Sequence, residues 1–227
     1  MFLADDGRPA GLSWNYSRRE MLADGVIHCI GVAFGLAASV ALIATAAATQ
    51  IGWGVRASVV VYAAALVSML AVSATYNLYP VSPRKWLLRR ADHALIYLMI
   101  AGTYTPLVAL VGTGTKAYAL LAFIWLVAGI GIAVKLLLPG RFDRLSIALY
   151  LMLGWSGIFA YESVIAVLQP TALWLLAIGG LLYSIGVIFH VWRNLPFQNA
   201  IWHAFVLVAT ACHFGTVWAS LTGVAAT

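Results

Sequence analysis

"QNAIWHAFVLVATACHF", residues 198–214, is apolar over most of its length and contains no Asp, Glu, Lys or Arg, yet it carries Asn199, His203 and His213. A run of this composition reads as a membrane-spanning helix. Polar groups inside a bilayer are costly unless something pairs with them. The stretch therefore sets both the class of fold and the question of what those three side chains meet.

The rest of the chain agrees. Of 227 residues, 63% are hydrophobic and 9% charged, and the mean hydropathy is +0.96. A soluble domain carries roughly a quarter charged residues, so a water-facing surface is excluded and the fold class is an all-α integral membrane bundle. Seven windows of about 20 apolar residues fall at 24–49, 55–79, 91–112, 117–138, 145–168, 171–192 and 199–222. They form one seven-helix membrane domain over 24–222, between an N-terminal tail (1–23) and a short C-terminal tail (223–227). Turn signals separate them: "YPVSPRK", "GTGTK", "LPGRFDR", "LQPT" and "NLPFQ". The first 20 residues lack the apolar core of a signal peptide, so insertion is expected to use the first span, with nothing cleaved. No internal repeat is visible.

Lys and Arg orient the bundle. Eleven lie on one side: Arg8, Arg18, Arg19, Arg84, Lys85, Arg89, Arg90, Lys135, Arg141, Arg144 and Arg193. Two, Arg56 and Lys116, lie on the other. The N-terminus is expected in the cytoplasm and the C-terminus outside, in a bacterial-type inner (plasma) membrane. The net charge of +6 then reports topology, and no nucleic-acid partner is expected. The run "RKWLLRR" (84–90) reads as an interfacial anchor facing lipid head groups. Cys29 and Cys212 have no CxxC spacing and read as small packing residues.

With this orientation the polar residues of five helices share one cytoplasm-facing layer. Asp24 and His28, Ser73 and Asn77, and Asn199 and His203 are each spaced i,i+4, one above the other on a helix face. Asp92 and His93 open the third span and His190 closes the sixth. A single such pair serves equally well as a hydrogen bond between helices. Three pairs at one depth point to a shared cavity. His213 is ten residues beyond His203, about 15 Å deeper along the helix. Glu162 stands alone in the fifth span and reads as a structural hydrogen-bonding group. Pro106 falls inside the third span, where Thr103 or Thr105 is expected to satisfy the carbonyls it frees.

"RRADHALIYLMIAGTYTP" (89–106), "SATYN" (73–77), "GGLLYSIGVIFH" (179–190) and "NAIWHAFVLVATACHF" (199–214) resemble the haemolysin III family, which is grouped with the progestin and adipoQ receptors, the adiponectin receptors among them. The resemblance implies a ceramidase-like bundle with zinc near the cytoplasmic side. Its ligands would be one histidine on helix 2 and two that open helix 7, and its chemistry zinc-activated water attacking a lipid amide. Carried over by position, Ser73 matches the family serine, Asp92 the aspartate and His203 the second histidine of the helix 7 pair. Asn199 and Asn77 stand where the other two ligands belong, and an amide oxygen is a poor zinc ligand.

Three readings stay open: a metal-free polar cavity; a site rebuilt on His203 and Asp92 with His190 or His28; or a different ion held through Asn77, Asn199 and Asp92 oxygens. The expected activity is metal-assisted hydrolysis of lipid amides, with Ser73, Asp92 and His203 as the catalytic set. The alternatives are a non-catalytic sensor of lipids or membrane state, and a proton- or ion-coupled transporter. The expected partners are membrane lipids and a lipid-like ligand. The cytolysis in the family's name is read as a consequence of overproduction in a host membrane.

Overall fold

Ser17 opens the first helix, α1 (Arg18–Ala48). Its hydroxyl accepts the Glu20 N–H at 3.3 Å, while the Glu20 carboxylate accepts the Ser17 N–H at 2.8 Å. This reciprocal cap satisfies two of the donors a helix start leaves unpaired. Glu20 also accepts the N–H of Phe197 at 2.9 Å, which ties the start of the first helix to the entry of the last.

The computed structural model describes residues 16–111, 115–138, 142–160, 165 and 168–225. Among them the chain forms α2 (Trp53–Leu78), α3 (Pro83–Val111), α4 (Thr115–Leu137), α5 (Asp143–Trp155), α6 (Pro170–Val191) and α7 (Gln198–Ala225), and no strand. All but α5 are long and apolar enough to cross a membrane, six in number. Within the fifth window, α5 has 13 residues and continues as a 3-10 turn, Ser156–Ala160. Glu162 lies outside the described residues.

Sequential helices α1 to α4 pack as neighbours, α6 packs on α7, and α7 returns to α1. Helix α3 also touches α5 and α7. Two apolar clusters hold this arrangement. Val59, Tyr62 and Leu66 of α2 are wholly buried with Leu42 of α1 and with Val217 and Leu221 of α7. Tyr97 and Ala101 of α3 pack with Ile124 and Ala128 of α4 and Leu153 of α5. Lipid tails are as apolar as these side chains, so close van der Waals fit holds the helices together. Gly131 shows how close: a Cβ there would lie 2.5 Å from ring atoms of Tyr97. The outward faces are apolar, with Val40 and Met152 each 69% exposed.

Helix α3 begins eight residues before the expected window, at Pro83 rather than residue 91. "RKWLLRR" is thus helical, and Lys85 and Arg89 are buried. The physical reason is that both cations find partners. Lys85 Nζ donates to the carbonyls of Asn77 and Tyr79 at 3.0 and 2.8 Å, capping α2. Arg89 meets Asp143 at 2.9 Å, and Lys135 meets the other oxygen of Asp143 at 2.7 Å. That clasp joins α3, α4 and α5. Burial works against the Asp143 charge, but Arg89 and Lys135 outweigh it and hold the carboxyl well below its ordinary value. Asp92 therefore sits in the third turn of α3. The α3 helix runs on through Pro106, flanked by Thr103 and Thr105 hydroxyls bonded to the carbonyls of Met99 and Ala101.

Candidate functional site

Asp24 is the hub of the polar end of the bundle. Its Oδ1 accepts from His203 Nδ1 at 2.6 Å, and its Oδ2 accepts from Asn199 Nδ2 at 2.9 Å. His28, one turn along α1, places Nε2 3.6 Å from Oδ2. Asp24, His28 and His203 are at most 9% exposed, so water cannot replace these partners. The i,i+4 spacing puts Asp24 and His28 on one face of α1, and Asn199 and His203 on one face of α7. Packing α1 against α7 brings the two faces together.

The amide positions close a network. Asn199 Nδ2 also donates to Asn77 Oδ1 at 3.0 Å, and Asn77 Nδ2 donates to the Ser73 carbonyl at 2.9 Å. Ser73 in turn lines the cavity wall with Asp92. A three-histidine zinc set does not fit here. Two of its positions are amides already bonded to one another, and Asn199 carries its bond onward to Asp24. Among the described residues, the group whose metal-ligating atoms lie within 4.8 Å of one another is Asp24, His28 and His203. His190 and Asp92 fall outside it. His190 instead lies against the Trp202 ring, 4.8 Å between centroids. One atom of the group is unsatisfied: His28 Nε2 is buried without a hydrogen-bond partner.

Behind this network lies a cavity of about 950 Å³. Ser73, Asp92, His190 and His203 line its polar end, and Tyr183 and His213 line it further in. Most of the remaining wall is apolar, including Met99, Leu107, Leu176 and Val206. Asp24, His28, Asn77 and Asn199 do not reach it. His203 is therefore the bridge between the two. Its Nδ1 is engaged by Asp24, which leaves Nε2 as the ring's second nitrogen. An aspartate that orients an imidazole beside a cavity is an acid–base arrangement.

Deeper in, Tyr183 and Thr210 share a 2.6 Å hydrogen bond, and His213 stands edge-on to Tyr183. Gly179 makes room for the His213 ring, which a Cβ there would overlap.

The structure thus brings Asn77, Asn199, His203 and His28 together around Asp24. It sets Ser73 and Asp92 beside them on the cavity wall, with His190 across the cavity end. Asp24 was visible in the sequence as half of an i,i+4 pair, but no spacing rule could assign it to His203, 179 residues away.

The fold and this site define a class: a multi-pass helical membrane protein with a buried carboxylate–imidazole centre at one end. The chain belongs to the haemolysin III family, since it matches the family model described as Haemolysin-III related over residues 16–214. It is 36% identical over 199 residues to the hemolysin-3 homolog of Bacillus subtilis (strain 168), covering 88% of this chain and 93% of that protein. With hemolysin-3 of Bacillus cereus it is 36% identical over 200 residues, 86% and 89% of the two chains. The monocyte to macrophage differentiation factor of Homo sapiens is 32% identical over 166 residues, 70% and 68% of the two chains.

Proposed function

We propose that this chain spans the bacterial inner membrane seven times, with its N-terminus in the cytoplasm, and takes a lipid amide into its cavity for hydrolysis. The observation that carries this reading is the Asp24–His203 pair at the polar end of a long apolar cavity. The volume suits one amphiphile, with its chain among Met99, Leu107 and Leu176 and its amide beside Ser73, Asp92 and His203. In the step, His203 Nε2 takes a proton from water as the water oxygen bonds to the amide carbon. Asp24 stabilises the imidazolium that results. The same proton then passes to the departing amine as the C–N bond breaks, leaving a fatty acid and an amine.

Purified protein in neutral lipid nanodiscs, incubated with a defined N-acyl amine and followed by mass spectrometry, tests this. Fatty acid release by the unmodified protein, abolished in His203→Ala and reduced at least about 100-fold in Asp24→Asn, is the expected result. Retention of the lipid amide without release would replace the hydrolase with a non-catalytic lipid sensor. Selective proton or ion flux through liposomes would favour the transporter.

A second reading rests on the Asp24, His28 and His203 grouping, in which His28 Nε2 stands 3.6 Å from Asp24 Oδ2 and has no hydrogen-bond partner. Those three side chains would hold a zinc ion, which would supply a bound hydroxide near neutral pH. Elemental mass spectrometry separates the two. About one zinc per chain, lost in His28→Ala, supports the metal reading; no stoichiometric metal leaves the acid–base pair.

A further inference from the structure

We infer that the amide taken into this cavity bears an anionic headgroup, a carboxylate or a phosphate, held by Arg144 and Arg193. The inference rests on the lipid-amide reading above and names its substrate class.

Three cations line the cavity at the same end as His203: Arg89, Arg144 and Arg193. Topology accounts for basic residues at this end but not for their place on the cavity wall. Arg18, Arg19, Arg84 and Arg90 share the end and do not line the cavity. Arg89 already has a partner, Asp143, which also holds Lys135. One carboxylate thus serves two cations, and the clasp itself carries an excess positive charge. Arg144 and Arg193 are exposed and form no ion pair among the described residues. His190, three residues before Arg193, adds a ring nitrogen, Nδ1, that is buried and has no hydrogen-bond partner.

The cavity therefore offers three zones to one molecule. An acyl chain meets the apolar wall, an amide meets Ser73, Asp92 and His203, and the rim beyond meets it with unpaired guanidinium groups. Guanidinium binds carboxylate and phosphate by paired, charge-assisted hydrogen bonds. A neutral headgroup would leave both arginines without an acceptor from the ligand.

The test uses the full chain in neutral phosphatidylcholine nanodiscs, read by quenching of Trp155, Trp174 and Trp202, which line the cavity. N-oleoylglycine is compared with the uncharged N-oleoylethanolamine and with the phosphate ester of that ethanolamide. At least about tenfold tighter binding of the anionic probes is expected. In Arg144→Gln/Arg193→Gln that preference should vanish while the neutral probe binds as before, and Arg144→Lys/Arg193→Lys should restore part of it. Whichever anionic probe binds tighter identifies carboxylate or phosphate as the source. Equal binding of charged and neutral amides, or a preference that survives in the glutamine variant, overturns the inference alone. Binding of none of the three probes removes the lipid-amide reading and this inference with it.

Discussion

Asp24 Oδ1 and His203 Nδ1 stand 2.6 Å apart and join the first helix to the last. Both side chains are buried, so the bond closes the bundle and orients the imidazole at once. A double-mutant cycle of Asp24→Asn and His203→Gln, read as unfolding in detergent, should give a coupling of about 1–2 kcal/mol. That is the upper range for polar pairs between membrane helices. A coupling near zero would mean that the two side chains do not meet.

Asn77 and Asn199 meet through a 3.0 Å hydrogen bond, so their side chains converge on the neighbourhood of His203. The variant Asn77→His/Asn199→His should bind about one zinc per chain through three imidazoles, more tightly than the unmodified protein. Elemental analysis after dialysis measures it. No gain of metal would show that the helices cannot present three imidazoles to one ion.

Asp143 is held below the ordinary carboxylate pKa because Arg89 and Lys135 outweigh its burial. A depressed carboxyl contributes stability that is fully present above the unfolded value, near pH 4, and is lost as pH falls toward the folded value. The gap in melting temperature between the unmodified protein and Asp143→Asn should therefore be constant from pH 7 to about pH 5. It should narrow on further acidification. A gap that persists unchanged to pH 3 would remove the clasp's electrostatic role.

Gly179 lies against the His213 imidazole, where a Cβ would overlap the ring. Gly179→Ala should destabilise the α6–α7 contact by about 1–3 kcal/mol through overpacking. Gly179→Ala/His213→Ala should recover most of that loss. Thermal unfolding of the two variants measures it, and failure of the second change to recover stability would place the strain elsewhere.

The proposed seven-span topology gives a fifth outcome. With Cys29 and Cys212 replaced by Ala, a single cysteine at Ser17 should react with impermeant reagent only after the cells are opened. One at Thr222 should react from outside. Labelling of both from the same side would establish an even number of spans.

Much of this was legible from the chain alone, for physical reasons that are local. Helix-long apolar runs, turn residues between them and Lys and Arg in the loops are each set by neighbours in sequence, because a helix satisfies its own backbone in lipid. The i,i+4 pairs of Asp24 with His28 and of Asn199 with His203 were readable because helical pitch fixes which side chains share a face. The early start of α3 was not. "RKWLLRR" looks like a surface anchor until Asp143, beyond α4, and the end carbonyls of α2 arrive to hold Arg89 and Lys85.

The sequence by itself determined the class of fold, the family and the layer in which the polar groups lie. Only the tertiary structure decided who meets whom within that layer. It gave His203 to Asp24 and not to Asp92, bonded the two asparagines to one another, and set His190 against Trp202. Spacing along a helix specifies a face. Which face it opposes depends on how α1 and α7 close against each other, and that is settled by side-chain fit summed over the whole contact.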